Sequence, residues 1–223
     1  MPTTPPARPG LYHQIPNILT ILRVVFAGGF FLALSFYRFP DTGVFWGNIG
    51  VALFVIAAAT DAFDGALARK WDVVSTFGRI MDPFCDKVLV LGAFVYLSGG
   101  RFMVKEWFDE DRLLTMASGV YPWMVVVILA RELFVTSIRG VAESQGVAFG
   151  SRSSGKLKMI LQSIAIPVVL FLVVNWPPAD YDWNFWLCNS LMWITIAMTI
   201  WSGIPYLFGI RTIMVEMKPN SAD

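Results

Sequence analysis

Apolar residues form six long runs along this chain, separated by short polar segments. A helix that crosses a bilayer needs roughly 20 predominantly apolar residues, and each run is close to that length. Pro83 either opens the third helix or kinks it, and Ser75 and Thr76 are suitable caps if that helix begins earlier. The runs predict six transmembrane helices at residues 18–37, 47–68, 83–100, 115–138, 159–175 and 184–208.

The stretch ahead of the first run has two parts. Residues 1–10 are rich in proline and threonine, a composition typical of disorder. Tyr12, Ile15 and Ile18 suit a short N-terminal interfacial helix that lies among the lipid headgroups. The alternative is a signal peptide cleaved near Ser35, which the proline-rich leader and the need for an even number of spans disfavour.

Composition supports a membrane location. Hydrophobic residues make up 56% of the chain and charged residues 15%, and the mean hydropathy is +0.61, values that fit a polytopic membrane protein better than a soluble domain. A net charge of +1 gives no indication of nucleic-acid binding. We therefore expect an all-α polytopic membrane protein with a single domain over residues 1–223 and no nucleic-acid partner.

The basic residues of the short loops predict the orientation, because cytoplasmic loops carry the excess of lysine and arginine. The richer side holds Arg8, Arg69, Lys70, Arg79, Arg139, Arg152, Lys156, Lys158, Arg211 and Lys218. The other side holds Arg38, Arg101, Lys105 and Arg112. We expect a protein of the cell (inner) membrane with both termini, and the polar stretch between the second and third runs, in the cytoplasm.

That polar stretch holds four aspartates in two pairs, Asp61 with Asp64 and Asp82 with Asp86. Residues three or four apart share a helix face, so each pair points its carboxylates one way. An aspartate in a bilayer helix costs roughly 2.5–3.5 kcal/mol, and four of them need compensating charge. Two divalent cations would supply it, and two-metal sites support phosphoryl chemistry. Oxygen ligands favour Mg²⁺ or Mn²⁺.

Small residues accompany these acids. Gly65, Ala68 and Gly78 each lie four residues from an aspartate and leave room for a bulky group near the backbone. Arg69 follows with a guanidinium suited to phosphate oxygens. The alternative is that the acids cap helices, line a proton or cation path, or pair with nearby bases. Those bases are Lys70, Arg79 and Lys87.

The combined pattern D-x-x-D-G-x-x-A-R-x8-G-x3-D-x3-D resembles the signature of the CDP-alcohol phosphatidyltransferase family at every signature position. Pro16-Asn17-Ile18-Leu19-Thr20 with Arg23 is similar to the start of that family's first helix. Further similarity, to the phosphatidylglycerophosphate synthase branch, lies in Ala130-Arg131-Glu132, Ser137-Ile138-Arg139 and Gly155-Lys156-Leu157-Lys158. In place of the acidic residue expected after Arg139 in that branch, the chain has Gly140. The resemblance covers roughly residues 12–175.

The resemblance implies a six-helix fold, usually dimeric, with a polar cavity open to the cytoplasm. It implies two metal ions, Mg²⁺ or Mn²⁺, that bridge the CDP pyrophosphate and are held by Asp61, Asp64, Asp82 and Asp86. It implies that Asp86 is also the general base for the acceptor hydroxyl. The implied contacts to the CDP-lipid are Gly65, Ala68, Arg69 and Gly78, assisted by Ser75, Asn17 and Thr20.

A second basic group bears on the acceptor. Arg131 lies inside the fourth run, where an unpaired cation is costly, and Arg139 follows about two helical turns later. Arg152, Lys156 and Lys158 open the fifth run. If the helices bring these residues together near the aspartates, they form a pocket for an acceptor that carries its own phosphate. The alternative is that Arg131 pairs with neighbouring Glu132 or another helix while the others face lipid phosphates.

Three hypotheses follow. In the first, a homodimer among membrane lipids transfers the phosphatidyl group from CDP-diacylglycerol to glycerol 3-phosphate, giving phosphatidylglycerophosphate and CMP. In the second, the same chemistry uses inositol phosphate, inositol or phosphatidylglycerol as the acceptor. In the third, the intramembrane acids serve a cation or proton transporter.

Overall fold

The computed structural model describes residues 11–71, 76–110, 113–144, 153–178 and 180–216. Over these ranges the chain forms six long α-helices and one short one. The long helices are α1 (Leu11–Ser35), α2 (Val44–Trp71), α3 (Thr76–Leu97), α5 (Pro122–Ser144), α6 (Ser153–Asn175) and α7 (Asp182–Glu216). A 3₁₀ turn (Gly100–Phe102) and the short α4 (Lys105–Asp109) join α3 to α5.

The all-α prediction is confirmed for the part of the chain that the structure describes. Pairing between extended segments there is limited to two isolated bridges, Arg38 with Thr42 and Met103 with Met116. Two helical stretches, Gly155–Asn175 and Asp182–Phe208, are long and apolar enough to cross a membrane. Shorter apolar stretches lie in α1 and α2. Each long helix overlaps one of the predicted runs.

The separate interfacial helix at the N-terminal end was a wrong prediction. The backbone is helical without interruption from Leu11 to Ser35, so the segment around Tyr12 and Ile15 belongs to α1. Within α1, the residues before Thr20 include no glycine and a single proline, Pro16. This proline lies near the start of the helix, where a missing N–H disturbs few helical hydrogen bonds.

The structure decides between the two alternatives for the third helix and corrects the start of the fourth. The third helix begins at Thr76, ahead of Pro83, so the alternative with an earlier start and the proline inside α3 is confirmed. The fourth long helix, α5, begins at Pro122 and not at 115. Gly119 has a positive φ of 66°, which ends any helix there, and proline is favoured at the first helical position.

The chain divides into two compact units, and the first comprises Met1–Arg38 with Thr42–Ala93. Within it α1 packs along α2, and the rings of Phe30 and Phe54 meet edge to face with centroids 5.4 Å apart. The ring of Phe31 packs against Gly92 on α3, and a Cβ added at Gly92 would lie only 2.4 Å from Phe31 Cζ. Helix α1 therefore contacts both other helices of the unit.

The second unit comprises Phe39–Asp41 with Phe94–Asp223. In it α7 packs against both α5 and α6. The segment between α3 and α5 folds back on itself, because the Val104 N–H donates to the Thr115 carbonyl and the Ala117 N–H to the Phe102 carbonyl. These bonds satisfy backbone groups that would otherwise be left open between helices.

This folded segment is anchored to α7 at Asn189. The Tyr121 hydroxyl donates to Asn189 Oδ1 over 3.1 Å. Gly119 lies directly against the α7 backbone, since a Cβ added there would be 2.9 Å from Asn189 Cα. The positive φ and the close approach together require glycine at position 119.

Large apolar side chains are exposed along the helices. On α7 these include Trp193, Trp201, Leu207 and Phe208. Soluble monomers rarely expose contiguous apolar surface of this kind. The surface therefore suits a lipid environment.

We predict that Gly119→Ala destabilises the protein by about 1–3 kcal/mol, since it combines a left-handed backbone with a collision against α7. Thermal unfolding of the purified protein in detergent micelles measures the effect.

Gly140→Ala is the matched control. A Cβ added at Gly140 meets nothing within 4 Å, and alanine is favoured over glycine inside a helix by about 0.5–1 kcal/mol. Its melting temperature should be unchanged or slightly raised. Equal melting temperatures for Gly119→Ala and the wild type would contradict the close approach to Asn189.

Candidate active site

The four signature aspartates lie on two helices whose backbone the structure describes. Asp61 and Asp64 belong to α2, and Asp82 and Asp86 belong to α3. On helical backbone this spacing places each pair on one helix face. The side chains of Asp61, Asp64 and Asp82 lie outside the described residues, so the described geometry centres on Asp86.

Most of the predicted CDP-lipid contacts have the same status. The backbone of these residues is helical, but their side chains are outside the part of the chain that the structure describes. They are Asn17 in α1, Gly65, Ala68 and Arg69 in α2, and Gly78 in α3. Ser75 and Arg152 lie outside the described residues altogether. These assignments stay predictions.

Asp86 is held by an arginine from another helix. Arg23 Nη1 on α1 donates to Asp86 Oδ1 over 3.0 Å, and the side-chain exposures are 0% for the arginine and 33% for the aspartate. An ionic hydrogen bond of this kind is roughly twice as strong as a neutral one. The Arg23 side chain is therefore fully enclosed, while the Asp86 carboxylate remains partly exposed.

Arg23 is the candidate functional residue to which the sequence reasoning gave no role. It lies on the buried face of α1 together with Thr20, Ala27, Phe30 and Leu34, a spacing typical of the packed side of a helix. A buried guanidinium is costly without an acidic partner. The signal was present in the sequence, since an arginine in an apolar stripe predicts an acid on a neighbouring helix.

Two further residues lie close to this ion pair along the chain. Thr20, a predicted CDP-lipid contact, is buried one turn before Arg23 on the same face of α1. Cys85, next to Asp86, is buried, as expected for a small packing residue.

The donor set fits the hard cations that the resemblance implies. Mg²⁺ and Mn²⁺ prefer oxygen ligands, and aspartate supplies them. The residues that the structure describes contain no group of three or more His, Cys, Asp or Glu suited to a metal, because three of the four aspartate side chains fall outside them. The two-ion site stays a prediction that depends on the helical spacing of Asp61, Asp64, Asp82 and Asp86.

The basic residues predicted to bind the acceptor phosphate fall into two pairs. Arg131 on α5 is largely enclosed and Lys158 on α6 is buried, whereas Arg139 on α5 and Lys156 on α6 are exposed. Within the described ranges, neither exposed residue forms an ion pair. The exposed pair is therefore open to solvent, whereas the buried pair is largely enclosed by protein.

Glu132 binds both members of the buried pair. Its Oε1 accepts from Arg131 Nη1 over 2.8 Å and also from Lys158 Nζ. The pairing of Arg131 with Glu132 is the alternative that the sequence left open. The bond from Lys158 to the same carboxylate joins α6 to α5.

Helix α7 completes the surroundings of Arg131. Nη2 lies 3.5 Å from the Ser202 carbonyl, and Cζ lies 6.0 Å from the centre of the Tyr206 ring. Gly203 lies beside the arginine stem, since a Cβ added there would be 3.4 Å from Arg131 Cγ. Helix α7 therefore contacts Arg131 at both its stem and its guanidinium.

Comparisons with known proteins identify the family to which the chain belongs. The model of the family described as CDP-alcohol phosphatidyltransferase matches residues 13–201. Three relatives carry the name CDP-diacylglycerol–glycerol-3-phosphate 3-phosphatidyltransferase. The Cereibacter sphaeroides protein is 35% identical over 162 residues, which is 71% of this chain and 63% of that protein.

The other two matches span more of the chain. The Bacillus subtilis protein is 29% identical over 86% of this chain and 93% of its own length. The Escherichia coli K12 protein is 31% identical over 92% of this chain and 100% of its own length. The family resemblance read from the signature is thereby confirmed, and the chain belongs to the CDP-alcohol phosphatidyltransferase family of membrane enzymes.

Proposed function

We propose that this chain transfers the phosphatidyl group from CDP-diacylglycerol to glycerol 3-phosphate, which yields phosphatidylglycerophosphate and CMP. The name that the three relatives share supports this reaction. The observation that carries it is the complete aspartate signature on α2 and α3, with Asp86 held by the buried Arg23.

The proposed reaction is a displacement at phosphorus. A hydroxyl oxygen of the acceptor attacks the phosphorus that carries the diacylglycerol, and the bond from that phosphorus to the CMP oxygen breaks. Asp86 accepts the hydroxyl proton. An aspartate carboxylate is a weak base at neutral pH, so the proton moves late in the attack. The contact with Arg23 fixes the orientation of the carboxylate, which proton transfer at a defined atom requires.

Asp61, Asp64, Asp82 and Asp86 would hold two Mg²⁺ or Mn²⁺ ions, which when bound neutralise the pyrophosphate charge and orient it. Around them, the remaining signature residues would bind the nucleotide. Arg69 offers two parallel donors to phosphate oxygens. The proposed set also comprises Gly65, Ala68, Gly78, Ser75, Asn17 and Thr20.

The acceptor assignment depends on the basic residues of α5 and α6. Arg139 and Lys156 are exposed; Arg131 lies eight residues before Arg139 on α5, and Lys158 lies two residues after Lys156 on α6. Several bases favour an acceptor that carries a phosphate over free inositol. We include Arg152 in the proposed set from the sequence alone.

The membrane arrangement is part of the proposal. We infer that each of the six long helices spans the inner membrane and that the chain forms one domain. We also infer that both termini face the cytoplasm and that the protein is a homodimer. The uneven distribution of lysine and arginine between the loops supports this orientation.

An acceptor panel tests the reaction. Purified protein is incubated with CDP-diacylglycerol, Mg²⁺ or Mn²⁺, and one acceptor at a time: glycerol 3-phosphate, inositol phosphate, inositol or phosphatidylglycerol. We expect CMP release with glycerol 3-phosphate alone, and none after chelation of the metal. CMP release with a different acceptor would assign the other reaction. No CMP with any acceptor would support a transport role for the acids.

We predict that Asp86→Asn lowers kcat by about 10²–10⁴-fold, the usual contribution of a positioned base. CDP binding should largely persist, because asparagine keeps a carbonyl oxygen for Arg23. Isothermal titration with CDP and CMP release measure the two properties. Asp109→Asn on the exposed α4 is the control and should match the wild type. Loss of CDP binding with an unchanged rate would contradict the base role.

We predict that Arg139→Ala raises the apparent KM for glycerol 3-phosphate by about 10–100-fold, as expected for the loss of ionic hydrogen bonds. The KM for CDP-diacylglycerol should change little. Lys105→Ala, which removes an exposed base from α4, controls for general charge effects. Equal increases in both KM values would remove Arg139 from the acceptor site.

A further inference from the structure

Glu132 binds two basic side chains of the second unit, one on its own helix and one on α6. It accepts from Arg131 and Lys158, and its side chain is 14% exposed, against 11% and 7% for the two bases. Two cations this close and this enclosed would repel each other strongly in a medium of low dielectric. The carboxylate between them is what permits both to be buried.

The cluster of Glu132, Arg131 and Lys158 carries an excess positive charge, because one acid faces two bases. It also has an open donor. Arg131 Nε is buried and has no hydrogen-bond partner within the described part of the chain. A buried donor without a partner carries a desolvation cost that a ligand oxygen would relieve. The cluster is therefore suited to receive an anion.

The surroundings of the cluster hold the bases in place. One turn beyond Lys158 on α6, Gln162 Nε2 donates to Thr199 Oγ1 of α7 over 3.2 Å, and both residues are buried. Arg131 is confined on its other side by Ser202 and Tyr206. Because these contacts hold the helices in place, the orientations of the Arg131 guanidinium and the Lys158 ammonium depend on the Glu132 carboxylate that binds both.

We propose that Glu132 is a positioning residue for the acceptor: it sets the orientation of Arg131 and Lys158, and these two bases then bind the acceptor's phosphate. This inference rests on the proposed function, since it assigns the cluster to the glycerol 3-phosphate side of that reaction. It gives Glu132 no contact with the substrate.

The test uses the full-length enzyme with Glu132→Gln and Glu132→Asp. Glutamine keeps the shape and removes the charge, so we expect the KM for glycerol 3-phosphate to rise about tenfold or more. The KM for CDP-diacylglycerol should stay within about twofold. Aspartate restores the charge but not the reach to both bases, so its acceptor KM should lie between those of glutamine and the wild type.

Glu143→Gln is the matched control, an exposed acid farther along the same helix, and both of its KM values should equal those of the wild type. Thermal stabilisation of each variant by glycerol 3-phosphate gives a second reading, independent of turnover. We expect a smaller shift for Glu132→Gln than for Glu143→Gln.

The outcomes separate the proposals. An unchanged acceptor KM in Glu132→Gln, or equal increases in both KM values, would overturn the positioning role. If Glu132→Gln does not accumulate as folded protein, the same split in Glu132→Asp decides the question. Wild-type enzyme that releases no CMP with glycerol 3-phosphate would instead overturn the proposed function, whatever the variants do.

Discussion

A charged side chain buried among apolar helices needs a counter-charge, and this constraint accounts for the polar clusters that the structure describes. Removing one partner of a buried ion pair typically costs about 3–5 kcal/mol, so the position of each buried base is tied to its acid. In the first unit Arg23 is bound to Asp86. In the second, Arg131 and Lys158 share Glu132. Each pairing fixes the position of a buried charge among apolar helices.

Both clusters keep a polar group available to a ligand. Asp86 retains an exposed fraction of its carboxylate although Arg23 is enclosed, and Arg131 retains a buried N–H without a described partner. A group transfer needs reacting groups held within a narrow range of positions, and side chains locked by their neighbours provide that. The ion pairs therefore link the packing of the helices within each unit to the proposed chemistry.

The sequence predicted the helical class, the six long helices and the family, because apolar runs and the aspartate signature are local patterns. It did not predict the continuity of α1, since Tyr12 and Ile15 were assigned to a separate interfacial helix, or the start of α5, which Gly119 and Pro122 set. Pairing across helices was harder. The pairing of Arg131 with adjacent Glu132 was foreseen as an alternative, but Arg23 and Asp86 lie 63 residues apart, and only the packing of α1 on α3 brings them together.

In the proposed site, the aspartates of α2 and α3 together hold the metal ions that bind the CDP pyrophosphate. An experimental structure with CDP and Mn²⁺, with anomalous scattering used to locate the metal, tests this most directly. We predict two manganese peaks about 3.5–4 Å apart, bound by the carboxylates of Asp61, Asp64, Asp82 and Asp86. Aspartate side chains that point apart, each bonded to its own lysine or arginine and with no manganese between them, would contradict the account.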